Sequence, residues 1–318
     1  KHFYKKGAKA LGFEGIGSLL ELVDNSIDAE ASHINIKYKS DKITKTKQIV
    51  IEDSGRGFAP DKFVPAIKTW GATRTYSSTD IGNFGVGMSA VFNQIIQSDG
   101  SVEIESSNGI KKCECLVTLD NNNEADFKVE KTDTTGKAYT TIILNKVRTD
   151  LTIDKLIKEM KVIYFTNKCK DTNFKITVEG DKNQEITFVD PMYRDIPDEP
   201  NVCKTYRHTF KFNGNDIDIF VRALYTGFRE NYKERIDKDG WDKNNSGWLP
   251  TTNSGLYLRY NGRYVNAGNR LMPGNSHGGH EYKGLRFEIQ IPKTIENFPI
   301  NLNKSKVSFD PNDSDLQN

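Results

Sequence analysis

No apolar run in this chain approaches the roughly 18 residues that a membrane-crossing helix needs, which excludes a transmembrane helix. No sign of charge dominates: 45 Lys and Arg stand against 43 Asp and Glu, and a net charge of +2 argues neither for nor against a nucleic-acid partner. Cysteine is scarce. Cys113, Cys115, Cys169 and Cys203 do not fall at zinc-ligand spacing, so free thiols in a reducing compartment are expected, and with them an intracellular place, cytoplasmic or nuclear. There is no internal repeat, and no Gly-Lys-Ser/Thr turn of the Walker A kind. His277 and His280 have no Cys, Asp or third His at ligand spacing, which leaves them a poor metal site. What remains is a composition 36% hydrophobic and 28% charged, ordinary for a globular protein, in 318 residues, enough for two cores.

The stretch that organises the rest is SLLELVDNSIDA, residues 18–29. At helical period, Leu20, Val23 and Ile27, with Leu19 beside them, fall on one face; Glu21, Asp24, Asn25 and Asp28 fall on the other. Three carboxylates and an amide with no Lys or Arg among them repel one another unless a cation or an activated water sits there. A plainer reading competes: Ser18 followed by Glu21 is a capping box, in which Glu21 only holds the helix start.

Alternation predicts a strand over 33–39 and another over 48–52, paired across a polar loop. The second runs into Asp53-Ser54-Gly55-Arg56-Gly57, whose glycines allow close backbone approach. A short helix is expected over 60–69, then a Thr-, Ser- and Gly-rich segment over 70–84 with the character of a mobile lid. This leads into Gly82-Asn83-Phe84-Gly85-Val86-Gly87 and a helix over 86–97; such a turn presents backbone N–H groups and a helix N-terminus to an anion. Strands are expected at 101–107, 111–119, 126–130 and 138–145. After a break near Thr149 comes an amphipathic helix, with Asn173 opening a new strand set. Asn213-Gly214 and Asn261-Gly262 read as hairpin turns, and 285–291 as a strand. The segment 227–254, carrying Trp241 and Trp248, reads as a charged surface insertion, and the C-terminal tail as disordered. The fold class is α+β.

In order, E-x-x-x-N on a helix, D-x-G-x-G after a strand, then a polar lid ending in G-x-x-G-x-G, this chain resembles the GHKL ATPase superfamily of gyrase B, heat-shock chaperone ATPases, MutL and histidine kinases. The resemblance implies a two-layer nucleotide-binding sandwich, a mixed or antiparallel sheet covered by helices, over residues 1–149, and a smaller α/β transducer domain over 150–318. It implies Glu21 as the general base and Asn25 as an oxygen ligand to Mg²⁺. It makes Asp53 the acceptor for the adenine amino group, with Gly57 giving room for the ring, and Gly82, Gly85 and Gly87 the holders of the phosphates, while Gly55, Asn83, Phe84, Val86 and Met88 complete the ATP-binding set. The superfamily's late Gly-Thr pair matches Tyr139-Thr140, with a tyrosine replacing the glycine, so Thr140 joins the ATP-binding set. Near the end, NLNKSK matches a stretch whose lysine reaches the γ-phosphate; Lys306 takes that role, with Lys304 as the fallback.

Histidine kinases keep the Asn but lack the Glu, so Glu21 places the resemblance with the hydrolysing branch. DPMY at 190–193, GLYLRYNGRYVNAG at 255–268 and WGATRT at 70–75, where Arg74 stands for the usual lysine, are similar to segments of the MORC ATPases. From this follow Mg²⁺-dependent ATP hydrolysis, homodimerisation with ATP bound, and DNA as the partner of a clamp or compaction ATPase. A MutL-like repair ATPase, a chaperone-type ATPase and a non-hydrolysing ATP sensor carry the same nucleotide motifs.

Overall fold

The computed structural model describes residues 15–40, 46–68, 91, 95–119, 125–134, 136–148, 151–165, 173–180, 183–188, 190, 202–212, 215–225, 255–260, 263–269 and 285–291. The chain divides into two compact units, one of Lys1–Lys161 with Thr166–Thr187, the other of Val162–Phe165 with Phe188–Asn318. Among the described residues no helix is long and apolar enough to cross a membrane.

The first unit is built on helix α1 (Gly15–Asp28), strands β1 (His33–Ser40) and β2 (Lys47–Asp53), helix α2 (Pro60–Lys68), and strands β3 (Ile96–Asn108), β4 (Lys111–Leu119), β5 (Ala125–Asp133) and β6 (Ala138–Val147). Helix α3 (Ile153–Ile163) and strands β7 (Lys175–Glu179) and β8 (Gln184–Glu185) follow. The eight strands form one sheet in the order β5-β4-β3-β6-β2-β1-β7-β8. Every pairing in it is antiparallel except β1 with β7. The strand that Asn173 precedes therefore joins the first sheet and does not open a second set. This mixed sheet with few helices is the α+β architecture expected from the sequence.

The sheet is two-faced because its strands alternate. Ile34, Ile36, Ile49, Ile51, Val102, Ile104, Cys113, Cys115, Val117, Ile142 and Leu144 are all buried. Cys113 and Cys115 lie in this core and form no disulfide. The other face is polar and hydrogen-bonded across strands: Lys37 to Glu52, Asn35 to Glu179, Thr177 to Asn35, Gln48 to Asn145 and Asn145 to Glu103.

Helix α1 departs from the expected two-faced picture. Leu19, Leu22, Val23 and Ser26, at i, i+3, i+4, i+7, form one buried stripe with exposures of 2%, 0%, 0% and 3%. Ile27, assigned to the aliphatic face, is only half-buried, whereas Glu21, Asp24 and Asp28 are buried. Asn25 is exposed. The helix already includes Gly15, three residues before Ser18, so Ser18 is not an N-cap and the capping-box reading of Glu21 falls. At the other end, the Ala31 N–H bonds the Ser26 carbonyl and the Glu30 N–H bonds the Ile27 carbonyl, a Schellman closure. It requires a left-handed residue at position 30, and Glu30 takes φ 63°.

The expected helix over 86–97 ends before residue 96. Val91 is helical, Ile95 donates to the Val91 carbonyl, and Ile96 already begins β3 opposite Val147. Ile95 and Ile96 are β-branched and fully buried, and packing on the sheet overrides the helical pattern there.

The second unit carries a five-stranded sheet in the order β12-β11-β13-β10-β9, from β9 (Val202–Phe212), β10 (Asn215–Tyr225), β11 (Gly255–Tyr260), β12 (Arg263–Asn269) and β13 (Leu285–Ile291). Both Asn-Gly dipeptides fall between antiparallel partners, Phe212 opposite Asn215 and Tyr260 opposite Arg263. The core holds Tyr257 and Tyr264 edge to face at 6.1 Å, Arg286 over Tyr257 at 5.9 Å and Arg263 over Tyr164 at 5.8 Å.

Glu30→Gly should raise stability by about 0.5–1 kcal/mol, because glycine takes the left-handed conformation without a Cβ cost and the exposed Glu30–Arg56 pair at 3.0 Å is worth little. Thermal melting reads this; an unchanged or lower midpoint would mean that the helix end is not strained.

Candidate functional site

The last residue of β2 is a carboxylate facing the covered side of the sheet. Asp53 pairs with Thr140 on β6, Thr140 pairs with Ser106 on β3, and Ser106 pairs with Cys113 on β4. Cross-strand partners share a face, so Asp53, Thr140, Ser106 and Cys113 form one row across four strands. All four are buried.

Asp53 is gripped on both oxygens. Its Oδ1 accepts the Gly55 N–H at 2.9 Å, and its Oδ2 lies 2.8 Å from Ser26 Oγ. Ser26 Oγ also lies 3.2 Å from the Leu22 carbonyl, but its single proton serves the shorter, charge-assisted bond to the carboxylate. Burial pushes the Asp53 carboxyl above its usual range, and the bonds from the Gly55 N–H, Ser26 and the Thr140 N–H pull it back only in part. A carboxylate that three donors do not fully compensate gains from one more.

The turn after Asp53 is shaped by two close approaches. A Cβ on Gly55 would sit 2.8 Å from both the Cβ and the carbonyl oxygen of Ala29, the residue that also accepts the Arg56 N–H at 2.9 Å. A Cβ on Gly57 would sit 2.0 Å from the Ser107 carbonyl oxygen, and Gly57 has φ +66°. The turn thus runs directly over β3, and the next residue is tied there too: the Phe58 N–H donates to Ser106 Oγ at 2.9 Å. Phe58 then packs edge to face on the fully buried Phe63 of α2, centroids 5.7 Å apart.

Of the residues singled out from the sequence, Asp53, Gly55, Gly57 and Thr140 are thus assembled around one point. Glu21 and Asn25 lie on α1 within a turn and a half of Ser26, which joins that helix to Asp53. Tyr139, standing where a glycine is usual, turns to the other face and donates its phenol proton to Glu105, so it does not fill the Asp53 side. Gly82, Asn83, Phe84, Gly85, Val86, Gly87, Met88, Lys304, Lys306, the lid, His277 and His280 lie outside the described residues.

Two residues escaped the sequence reading, Ser26 and Ser106. The signal for Ser26 was present: a serine in an otherwise aliphatic helical stripe needs a buried partner. Ser106, beside Ser107 on β3, had no such mark.

Among the described residues no group of three His, Cys, Asp or Glu side chains gathers to hold a metal ion. The exposed Asn25 amide oxygen is of the type that suits Mg²⁺, which keeps several waters and takes one or two protein oxygens along with substrate phosphates.

Residues 14–146 match the family described as Histidine kinase-, DNA gyrase B-, and HSP90-like ATPase. The match covers α1 through β6, the span that builds the Asp53 row, and it supports a GHKL-type ATP-binding domain in this chain. No curated protein matches the chain.

The burial of Asp53 ties stability to pH. Its folded-state pKa lies above 3.8, so between the two values the folded state binds more protons than the unfolded one and stability falls as pH rises through that window. Acidification through the same window should relieve the burial cost and weaken adenine nucleotides together; melting and calorimetry across pH check it. Parallel trends would mean that Asp53 does not meet the base. Gly57→Ala should cost roughly 2–4 kcal/mol, combining overpacking with a left-handed alanine, read by denaturant titration.

Proposed function

We propose that this chain is a Mg²⁺-dependent ATPase that hydrolyses ATP slowly and homodimerises with ATP bound, acting on DNA as a clamp or compaction ATPase of MORC-like type. The observation that carries the nucleotide part is the buried Asp53 carboxylate, incompletely compensated by three donors at the end of β2. The adenine amino group is the donor this carboxylate calls for, and Gly57 lets the neighbouring turn press against the Ser107 carbonyl, where a Cβ would clash.

In this reading the chain's own groups divide the work. Asp53 and Thr140 read the base edge, with Gly55 and Gly57 lining it. Gly82 to Met88 cradle the phosphates through backbone N–H groups. Asn25 holds Mg²⁺, which neutralises phosphate charge when bound. Glu21, one turn before Asn25 and buried at 8% exposure, takes the proton of the attacking water. Lys306 senses the γ-phosphate and couples it to dimerisation. ATP can drive dimerisation only through its higher affinity for the dimer-competent state, so ATP and ADP must differ at that contact. The clamp role rests on the resemblance of 70–75, 190–193 and 255–268 to the MORC ATPases, and it fits a protein placed in the cytoplasm or nucleus.

Glu21→Ala should keep ATP binding and slow phosphate release by roughly 10²–10⁴-fold, the loss typical of a removed general base. Turnover within about threefold of wild type would remove Glu21 from the chemistry and leave an ATP-binding switch. Lys306→Ala should abolish the dimer that a non-hydrolysable ATP analogue induces, while ADP affinity stays near wild type. Sedimentation reads both, and a normal dimer in Lys306→Ala with none in Lys304→Ala would move the role to Lys304.

A further inference from the structure

We propose, resting on the adenine-nucleotide reading of Asp53, that Ser106 is a positioning residue that sets base selectivity by fixing the Thr140 hydroxyl as a hydrogen-bond acceptor.

Ser106 is fully buried on β3, and its hydroxyl has three neighbours. The Phe58 N–H, at 2.9 Å, can only donate. The Tyr139 carbonyl oxygen, at 3.1 Å, can only accept. Thr140 Oγ1, at 3.0 Å, can do either. A serine hydroxyl has one proton and two acceptor positions. The proton goes to the Tyr139 carbonyl, one lone pair takes the Phe58 N–H, and the remaining lone pair meets Thr140. Thr140 is therefore the donor of that bond. Its only proton is used inside the protein, and what its oxygen has left for a ligand is lone pairs.

Asp53, the next member of the row, offers only acceptors while ionised. The Asp53–Thr140 edge thus presents acceptors without a side-chain donor. A 6-amino purine supplies the proton that this edge lacks. A 6-oxo purine places an oxygen at that position and carries its proton on N1 instead, so the oxygen faces acceptors, and an unpaired buried acceptor is the strong form of discrimination. Removing the Ser106 oxygen frees the Thr140 proton, so the hydroxyl can rotate and donate to a 6-oxo group. The same change leaves the Phe58 N–H without its acceptor, but that loss falls on both nucleotides alike and cancels in their affinity ratio.

The test is calorimetric affinity for ATP and for ITP, which differ only on that edge of the base, with thermal melting alongside. Wild type should prefer ATP, and Ser106→Ala should lower the ATP-to-ITP preference on the order of tenfold, about one hydrogen bond, mainly through tighter ITP. Thr140→Val, which removes the hydroxyl in a residue well suited to a strand, should also lower the preference and supplies the test should Ser106→Ala not fold. In the Thr140→Val background Ser106→Ala should change the ratio no further. Equal loss of both affinities in Ser106→Ala, or an unchanged ratio in Thr140→Val, overturns the role assigned to Ser106. Equal binding of ATP and ITP by wild type overturns it too. Binding of neither nucleotide overturns the adenine reading beneath it.

Discussion

A carboxylate buried at the end of a central strand is the constraint on which the first unit turns. Moving such a group out of water costs several kcal/mol, and hydrogen bonds to a charged group return roughly 1.5–3 kcal/mol each. Asp53 recovers part of that cost from Ser26 on α1, from Gly55 in its own turn and from Thr140 on the neighbouring strand. These three donors come from three separate elements. Holding Asp53 therefore fixes α1 against β2, folds the 54–58 turn back over the sheet, and sets the register of β6. The compensation is incomplete, as the raised pKa of Asp53 shows. A site that is not fully satisfied by its own protein is suited to a ligand that completes it.

The local devices around Asp53 serve that arrangement. The left-handed Glu30 closes α1 sharply enough for Ala29 to receive the Arg56 N–H, and the absent side chain of Gly55 lets the two backbones meet. Gly57 lets the turn cross β3 where any Cβ would strike the Ser107 carbonyl. Ser106 then stitches the turn to β6 through Phe58 and Thr140. Each is a short-range rule of backbone geometry, and together they bring an acidic strand end, a helix carrying Glu21 and Asn25, and a row of hydroxyls to one place.

Much of this was legible in the sequence because the signals are local. Alternation placed β1, β2 and β13 within a residue or two, and the two Asn-Gly pairs marked both hairpins of the second sheet. The Asp53-to-Gly57 turn read correctly as a place of close approach, and Thr140, picked out although Tyr139 broke its motif, stands opposite Asp53 on β6. What escaped depends on tertiary partners. The depth of Ser26 and Leu22 is decided by the sheet beneath α1. Ile95 and Ile96 follow a helical pattern, yet the helix stops because Ile96 pairs with Val147. The strand after Asn173 joins β1 in parallel, a non-local pairing that no short window encodes. Hydroxyl direction at Ser106 is a matter of counting donors and acceptors in space, so the one-dimensional pattern holds no trace of it.

The central claim is that the Asp53–Thr140–Ser106 row receives the base of ATP. Photolabelling with 2-azido-ATP, with excess ATP as competitor and peptide mapping of the product, tests it most directly. The account predicts ATP-protected labelling in peptides covering 53–58, 104–108 or 138–142. Labelling confined to the second unit, or labelling that excess ATP does not suppress, would contradict it.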